Sequence, residues 1–548
     1  MVRRVEGNID VPGGALVVDA KDFRVAGWAH CRASPVSRVE VWLGELLLGR
    51  AGLGRARPDV AAALGDPGAG LSGFDLRATA PPEARGVDAP LRVTATLLDG
   101  TTEELGSLAL HLLPLPAESG TALTPPPRPG GRARRRRGEE IRTLWSARGL
   151  DQGGSQLRMA ELIEHLARRG GFRITIHSPE DGPLRSVLEA SGATVHIAER
   201  APLDDATGYE RYVGELCALM EGRIDLVYGP TVTSFPAVDA AVRLGVPSVL
   251  RIGEAAPLRT VVAWLFGDLD PAVEAAAHRA VAGASAVLSN SVAAVRTYRT
   301  EGYSGRFVVL RTGVPLAAAR AAMKTMDRRR CRERLGIGAD ERLLVCAGTL
   351  WNVKGQAVLV SALDLVRKQH PNLTCALIGH ADPEYERAIG AFVVQRGLAG
   401  AVRIVPFCED LRPWWRAADA AVCPSETEAT PSVLLEAMAH GVPVLGCRVG
   451  DLPDLIDPGA TGWLCDHSDL GSMVDGLTAV AATPRKVLDS MGAAAAREAG
   501  AYAQAEVLRR SGELLRAVAE GRLPRWCRGG PTLTPAGGDR WRRLLRRD

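Results

Sequence analysis

The stretch VCPSETEATPSVLLEAMAHGVPVLGC, residues 422–447, decides the fold of this chain. An apolar run at 420–423 predicts a buried strand, and the polar residues and proline after it predict a loop. Thr430 is suited to the N-cap of a helix, and Pro431 suits the first helical position, where its missing N–H costs nothing. A glycine and a proline end that helix, and residues 444–447 predict the next strand.

Two carboxylates occupy special places in this strand–loop–helix–strand unit. Glu428 lies in the loop at the carboxyl end of a strand, where open α/β sheets bind ligands. Glu436 is the only acidic residue on an otherwise apolar helix and therefore needs partners. Between them, the N–H groups of Ser432 and Val433 at the helix start suit a diphosphate.

The arrangement indicates a nucleotide-sugar site. Glu436 would accept hydrogen bonds from ribose hydroxyls, the helix start would hold phosphate, and Glu428 would face the sugar. Taken alone, Glu436 is more simply interpreted as an ion-paired residue on a solvated helix edge, and Glu428 as an ordinary loop residue. The pair, with this helix start between its members, favours the binding site.

The segment ETEATPSVLLEAMAHGVPV closely resembles the Glu-x7-Glu signature of retaining family 4 glycosyltransferases of the GT-B fold, with Glu428 and Glu436 at its two positions. The following segment, GDLPDLIDPGATGWL, is similar to the region that comes next in that family. Asp451 stands in it where a second glycine is usual. The resemblance implies two Rossmann-like domains, a nucleotide-sugar donor and a retained anomeric configuration.

Length and composition limit the number of domains, the kinds of partner and the cellular compartment. The chain has 548 residues, which is too long for a single core. Its net charge of +4 gives no general attraction to nucleic acid, so no nucleic-acid partner is expected. Ten scattered cysteines lack zinc-site spacing and indicate core thiols in a reducing compartment. Without a signal-like start or a run of about 18 apolar residues, we expect a cytoplasmic protein, soluble or peripheral at the inner face of the membrane.

Residues 1–113 predict a small all-β sandwich, because short apolar or alternating runs are separated by Gly, Pro and Asp turns, with one helix at 58–64. The segment GDPGAGLSGF resembles accessory β domains found beside bacterial glycosyltransferases. A carbohydrate-binding role, a spacer and an oligomerisation module stay open. Residues 114–140 form a Pro/Gly/Arg-rich linker, from which we expect few contacts between the β domain and the rest. Its arginines at 132–137 suit either anionic lipid headgroups or an extended, solvated spacer.

From residue 141 strands and helices alternate, which predicts a doubly wound parallel sheet over 141–325. Gly153 and Gly154 follow the first strand at a helix start, where glycine lets the backbone approach a ligand closely. They resemble the glycine loop of family 4 enzymes, which lies near the acceptor and the donor phosphates.

Two further features of this domain concern a possible catalytic residue and a possible metal site. Many relatives have a histidine where this chain has Gly253, so any such role would pass to Glu254 or Arg251. Asp268 and Asp270 spell D-x-D without a preceding strand. We interpret them as a solvated helix cap and expect no metal site.

A second Rossmann-like domain is expected at 326–518, with residues 327–334 as the link. Lys354 lies at a strand-to-helix junction suited to phosphate, and in family 4 this position holds the donor phosphate together with an arginine. Thr349 stands where that arginine is common, so one cation is missing. Pro406 begins a segment that resembles the loop beside the nucleotide base.

A late helix of this fold usually crosses back to the first domain. The basic tail at 519–548 suits either an amphipathic helix on an anionic membrane surface or a solvated tail.

We therefore predict an α/β chain of two Rossmann-like doubly wound domains (GT-B), preceded by a small all-β sandwich. The expected activity is transfer of a sugar from a nucleotide sugar to a glycan or lipid-linked acceptor in bacterial cell-surface polysaccharide synthesis. Lys354 and Glu428 are the expected catalytic residues, with retention and without cofactor or metal. A nucleotide-sugar epimerase on the same fold is one alternative. The other is a binding scaffold without activity, which the missing arginine and histidine favour.

Overall fold

The computed structural model describes residues 5–11, 17–19, 23–78, 88–113, 139–267 and 269–527. Most of the expected linker and the tail from residue 528 lie outside these ranges, as do the expectations attached to them. The chain divides into two compact units, residues 1–119 with 314–500 and residues 120–313 with 501–548.

The N-terminal region is a β-sandwich with one short helix. Its elements are β1 (Glu6–Val11), β2 (Val17–Asp19), β3 (Phe23–His30), β4 (Val36–Leu43), β5 (Leu46–Arg50), β6 (Gly52–Arg55), α1 (Pro58–Leu64), β7 (Gly73–Ala78), β8 (Asp88–Leu97) and β9 (Thr102–Leu113). The two sheets have the orders β1-β3-β7-β6 and β2-β9-β8-β4-β5. Residues alternate strictly between buried and half-buried along β4, as they do when one face of a strand packs on a core. Buried Val25, Val39 and Phe74 come from both sheets and share that core, which confirms the predicted sandwich.

The second unit is built on a parallel sheet. Its elements are β10 (Ile141–Ser146), α2 (Gly154–Arg169), β11 (Phe172–Ser178), α3 (Leu184–Ala190), β12 (Thr194–Ile197), α4 (Ala206–Met220), β13 (Leu226–Gly229), α5 (Phe235–Leu244), β14 (Ser248–Ile252), α6 (Leu258–Phe266), α7 (Pro271–Gly283), β15 (Ala286–Ser289), α8 (Val292–Thr300) and β16 (Phe307–Val309). The strand order is β12-β11-β10-β13-β14-β15-β16, so the winding direction reverses between β10 and β13.

A second parallel sheet belongs to the first unit. Its elements are α9 (Leu316–Thr325), α10 (Arg328–Leu335), β17 (Arg342–Ala347), α11 (Gln356–Val366), β18 (Leu373–Ile378), α12 (Pro383–Gln395), β19 (Val402–Val405), α13 (Arg412–Ala417), β20 (Ala420–Cys423), α14 (Ser432–Ala439), β21 (Val444–Cys447), α15 (Leu452–Leu455), β22 (Gly462–Cys465), α16 (Leu470–Ala482) and α17 (Arg485–Ala499). The order β19-β18-β17-β20-β21-β22 reverses between β17 and β20. Such a reversal opens a crevice at the carboxyl ends of the strands, where ligands bind in open α/β sheets. The two-domain α/β prediction is confirmed.

The last helix, α18 (Gln504–Ala519), belongs to the second unit rather than to the sheet that precedes it in sequence. Its buried Leu514 and Leu515 share a core with Ile141 and Leu226 of that unit's sheet. The chain therefore crosses back after α17, as the family resemblance implied. Among the described residues, no helix is both long enough and apolar enough to cross a bilayer.

The expected link at 327–334 is instead mostly helical, because α10 covers it. Asp327 caps this helix by accepting a hydrogen bond from the Arg330 N–H at 2.8 Å. Arg328 and Arg332 reach back to Asp419, which is only 5% exposed, with N–O distances of 2.9 and 3.4 Å. The sequence did not reveal these ion pairs because the buried partner of the arginines, Asp419, lies far along the chain.

The expectation of few contacts between the β-sandwich and the rest is wrong. Ser37 of β4 donates to Asp469 Oδ1 at 3.1 Å and accepts from the Gly471 N–H at 3.0 Å. A Cβ added to Gly54 would lie 2.4 Å from the Cβ of Ala357 on α11. The sandwich and the second parallel sheet also share one continuous apolar core. The composition of residues 114–140 carries no information on the surface against which the sandwich packs.

We therefore expect a variant lacking residues 1–138 to aggregate or to melt at a lower temperature than the full chain, because its truncation exposes core surface on α11 and α16. Solubility and circular-dichroism melting measure this. Residues 1–113 supplied as a separate chain should restore solubility. A truncated chain that melts cooperatively at the full-length temperature would contradict the shared core.

Candidate active site

Two loops flank the reversal point of the second parallel sheet. One follows β17 and the other follows β20, and these strands pair directly through Leu344 and Ala420. The Glu426 N–H donates to the Val353 carbonyl at 2.9 Å and joins the loops. Gly355 has φ +69°, and a Cβ there would lie only 2.1 Å from the Pro424 carbonyl oxygen. Glycine is therefore required for the loops to approach this closely.

An ion pair connects the two loops. Lys354 Nζ lies 2.6 Å from Glu428 Oε1, and the Ser425 hydroxyl donates to the same oxygen at 2.9 Å. The lysine side chain is 31% exposed and the glutamate side chain 14%. The structure thus brings together the two residues that the sequence assigned to catalysis, with the carboxylate half-buried and the cation nearer to solvent.

The helix after Glu428 begins one residue later than predicted. Pro431 is the N-cap, with extended φ −68° and ψ 113°, and α14 starts at Ser432 without a side-chain cap. Thr430 is therefore not the N-cap. Its buried hydroxyl donates to Asp451 Oδ2 at 3.0 Å and so gives that buried carboxylate a hydrogen bond. The helix start at Ser432 and Val433 keeps the open N–H geometry that suits an anion.

Gly450 and Asp451 pack against the backbone of Glu428 and Ala429. Gly450 has φ +54°, and an added Cβ would lie 1.9 Å from the Glu428 carbonyl oxygen. The Asp451 N–H donates to the Ala429 carbonyl at 2.9 Å. Asp451, which departs from the family pattern, is thus a structural support of the loop that carries Glu428.

Glu436 is half-buried in the middle of α14. The two residues before it, Leu434 and Leu435, are fully buried. His440, one turn later, lies with its Nδ1 2.8 Å from the Glu436 carbonyl oxygen, and burial lowers the pKa of this histidine. A hydrogen bond to Asp410 raises the pKa of Arg412, and the charge of Glu436 adds to that rise. Arg412 is the first residue of α13, so Glu436 lies near the start of that helix.

Pro406 is exposed directly after β19, where the sequence placed the loop beside the base. The next residue, Phe407, stacks on His380 with ring centroids 4.5 Å apart and planes 6° from parallel. His380 follows β18, so a flat aromatic pair lies at the carboxyl ends of two adjacent strands. Sequence reasoning missed this pair because its members are 27 residues apart with no shared motif.

Thr349 is exposed in the loop after β17, and its carbonyl accepts from Gln356 Nε2 at 3.0 Å. This hydrogen bond closes the loop over the start of α11. The residue contributes no positive charge, so the cation that the structure places next to Glu428 in this loop is Lys354.

The glycine loop and Glu254 belong to the second unit. Gly153 is the N-cap of α2 and donates its N–H to Asp151 Oδ1 at 2.9 Å, while a Cβ on Gly154 would meet no atom within 4 Å. Glu254 Oε2 accepts from the Gly253 N–H at 3.1 Å, just after β14. Because β13 separates β10 from β14, these residues follow strands that are not adjacent.

The second aspartate of the D-x-D segment, Asp270, is a helix cap. Asp270 Oδ1 accepts from the Ala272 N–H at 2.8 Å and caps α7. Asp268 lies outside the described residues. Within the described ranges, no three His, Cys, Asp or Glu side chains are grouped to hold a metal ion.

One contact to the site loops had no sequence signal. Arg55 of β6 places Nη1 and Nη2 at 2.8 and 2.7 Å from the two carboxylate oxygens of Glu426, and Nη1 also donates to the Asn352 carbonyl at 3.1 Å. Burial works against the charge on Arg55, but Glu426 outweighs it and the pKa of the guanidinium is raised. The partners are 371 residues apart in sequence, so only the fold reveals them.

Comparison with known proteins gives two family matches. Residues 153–313 match the glycosyl transferase 4-like domain, and residues 341–482 match the glycosyl transferases group 1. The second match contains both site loops.

Similar proteins of known name align with nearly two thirds of this chain. The D-inositol 3-phosphate glycosyltransferase of Pseudarthrobacter chlorophenolicus is 28% identical over 367 residues, covering 63% of this chain and 86% of the relative. The protein of the same name from Streptomyces avermitilis is 29% identical over 387 residues, covering 64% and 80%. The crystal structure of Anabaena HepE in complex with UDP and glucose has a TM-score of 0.57 at 19% identity, covering 69% of this chain and 100% of that one. The last likeness shows a shared fold.

Removing the hydroxyl of Thr430 should loosen the turn that carries Glu428. We expect Thr430→Val to lower the free energy of unfolding by about 1.5–3 kcal/mol, because the buried Asp451 carboxylate loses a hydrogen bond. Urea denaturation measures this, with Thr427→Val in the same loop as the control. Equal stability of the two variants would show that the Thr430–Asp451 bond does not hold the turn.

Proposed function

Because the chain belongs to the group 1 glycosyl transferases of the GT-B fold, we propose that it moves a sugar from a nucleotide-sugar donor to a glycan or lipid-linked acceptor, with retention of the anomeric configuration. The observation that carries this proposal is the Lys354–Glu428 ion pair, 2.6 Å long, at the reversal point of the sheet and next to the start of α14. A cation, a carboxylate and a helix N-terminus in one crevice match the charges of a nucleoside diphosphate bound to a sugar.

The donor diphosphate would replace Glu428 as the partner of Lys354. Lys354 Nζ and the N–H groups of Ser432 and Val433 would then hold the phosphate oxygens on one face of the sugar. As the sugar–phosphate bond breaks, negative charge grows on the departing diphosphate, and these fixed donors stabilise it more than they stabilise the ground state.

Glu428 would keep its hydrogen bond from Ser425 and face the sugar, where its negative charge favours the positive charge that develops on the reacting ring. Glu436, which is half-buried on α14, would accept hydrogen bonds from the ribose. The flat His380–Phe407 pair, at the carboxyl ends of β18 and β19, suits contact with the base. The acceptor would approach the face that holds the diphosphate, so the configuration is retained.

The acceptor is proposed more broadly. Gly153, Gly154 and Glu254 are the candidate contacts of the second unit with the acceptor or the phosphates. Relatives named D-inositol 3-phosphate glycosyltransferase suggest phosphorylated polyols as test acceptors alongside glycans and lipid-linked sugars. A role in cell-surface polysaccharide synthesis remains part of this proposal. A panel of nucleotide sugars in a thermal-shift assay would identify the donor, because ligands that bind the native state raise the melting temperature.

A catalytically inactive nucleotide-sugar-binding scaffold is the second candidate, favoured by an uncharged, exposed Thr349 and by Gly253. A transferase forms a glycosylated acceptor, a scaffold only binds the donor, and an epimerase releases a free epimer. Product analysis by mass spectrometry and NMR separates the three.

Replacing Glu436 tests its contact with the ribose. Glu436→Ala should weaken donor affinity by about 1.5–3 kcal/mol, the range for a hydrogen bond to a charged group. Glu428→Gln should instead lower turnover more than affinity. Calorimetric titration of the donor measures the affinity, and Glu498→Ala, an exposed carboxylate of α17, is the matched control. Unchanged affinity in the Glu436 variant would exclude its ribose role.

Chelation tests how the leaving diphosphate is stabilised. We expect full activity in EDTA and a product with the anomeric configuration of the donor, because Lys354 and the α14 start supply the positive charge. Initial rates with and without EDTA, and proton NMR of the product, measure the two outcomes. A rate that disappears in EDTA and returns with magnesium or manganese would contradict the metal-free mechanism. An inverted product would contradict the proposed retention.

A further inference from the structure

Arg55 contacts both site loops at equivalent positions. It holds Glu426, two residues before Glu428, through both carboxylate oxygens. It also donates to the carbonyl of Asn352, two residues before Lys354, at 3.1 Å. One guanidinium on the N-terminal sandwich is therefore hydrogen-bonded next to each member of the ion pair proposed to act on the donor.

The same contact binds a second half-buried carboxylate of the loop that carries Glu428. Glu426 and Glu428 lie two residues apart on one loop, and both side chains are only 14% exposed. The planar fork of Arg55 matches the two oxygens of Glu426, a geometry that lysine does not reproduce. Each carboxylate of this loop thus has its own cation, Arg55 for Glu426 and Lys354 for Glu428.

The backbone of β6 is shaped for this contact. A Cβ added to Gly52 would lie 2.2 Å from Arg55 Nη2 and 2.3 Å from Glu426 Oε2. A Cβ on Gly54 would lie 2.4 Å from the Cβ of Ala357 at the start of α11. The two glycines of GLGR therefore let the strand lie close to Glu426 and to the start of α11.

We propose that the N-terminal β-sandwich completes the donor site, with Arg55 as a positioning residue that holds Lys354 opposite Glu428. The role rests on the proposed transferase function, but the geometry it fixes exists without substrate. Arg55 acts through Glu426 and Asn352. Its loss should therefore lower turnover more than it lowers donor affinity, to which the ribose contact of Glu436 would contribute. A displacement of about 1 Å in a reacting group costs on the order of a hundredfold in rate.

Three substitutions test this role in the full-length protein. Arg55→Ala removes the guanidinium, Arg55→Lys keeps one charge without the fork, and Gly52→Ala keeps both charges but forces them apart. Arg50→Ala is the matched control, because Arg50 also joins the sandwich to the second sheet, through Asp466 at 3.1 Å, but at the loop after β22. All four variants are compared by melting temperature, donor kcat and KM, and hydrogen exchange.

We expect Arg55→Ala to lower kcat by about tenfold to a hundredfold with a much smaller change in KM. Gly52→Ala should lower kcat by a similar factor, and Arg55→Lys should lower it by less. The kcat of Arg50→Ala should stay within about twofold of the wild-type value. Millimolar guanidinium should partly restore the turnover of Arg55→Ala but not change that of the control. A purely structural arginine would instead lower the melting temperature without a selective loss of kcat and without rescue, which would overturn the proposal.

Hydrogen exchange separates this inference from the transferase proposal, because it needs no donor. Exchange at 348–356 and 424–430 should rise in Arg55→Ala and Gly52→Ala but not in Arg50→Ala. Unchanged exchange in those segments overturns the positioning role, whatever the enzyme does. If the wild-type chain turns over no donor in the panel, the proposed function fails, while the exchange result still decides whether Arg55 holds the loops. If Arg55→Ala does not fold, Gly52→Ala and Arg55→Lys carry the same comparison.

Discussion

The close contact between the loops that follow β17 and β20 is the constraint on which the site depends. These strands are neighbours only because the winding of the sheet reverses between them, and the reversal leaves a crevice at their carboxyl ends. Gly355 allows one loop to touch the other, and Lys354 and Glu428 then meet at 2.6 Å. A side chain at position 355 would push the loops apart, and the two charges would face solvent separately.

Much of the site could be predicted from sequence because its signals are local. Residues 420–436 combine a strand end, a helix start and two acidic residues, and this spacing predicts a nucleotide-sugar site. Helix α1 was predicted at its observed bounds, since proline starts it and glycine ends it. The N-cap was misplaced by one residue because Thr430 has a buried partner, Asp451, that lies 21 positions away.

The features that were missed depend on contacts between distant parts of the chain. The packing of the sandwich on the second sheet involves Ser37 with Asp469 and Arg55 with Glu426, and neither pair has a local pattern. The ion pairs of the α10 arginines were not predicted because their partner, Asp419, is remote in sequence. A buried charge requires its partner, but sequence alone does not say which of many opposite charges that partner is.

The central claim is that the crevice between these loops holds the diphosphate of a nucleotide sugar. A crystal structure of the full chain with the nucleotide sugar that most raises its melting temperature tests this directly. The account predicts diphosphate oxygens within hydrogen-bond distance of Lys354 Nζ and of the N–H groups of Ser432 and Val433. A donor bound elsewhere, for example in the cleft of about 340 Å³ between β3 and the start of α12, would contradict it.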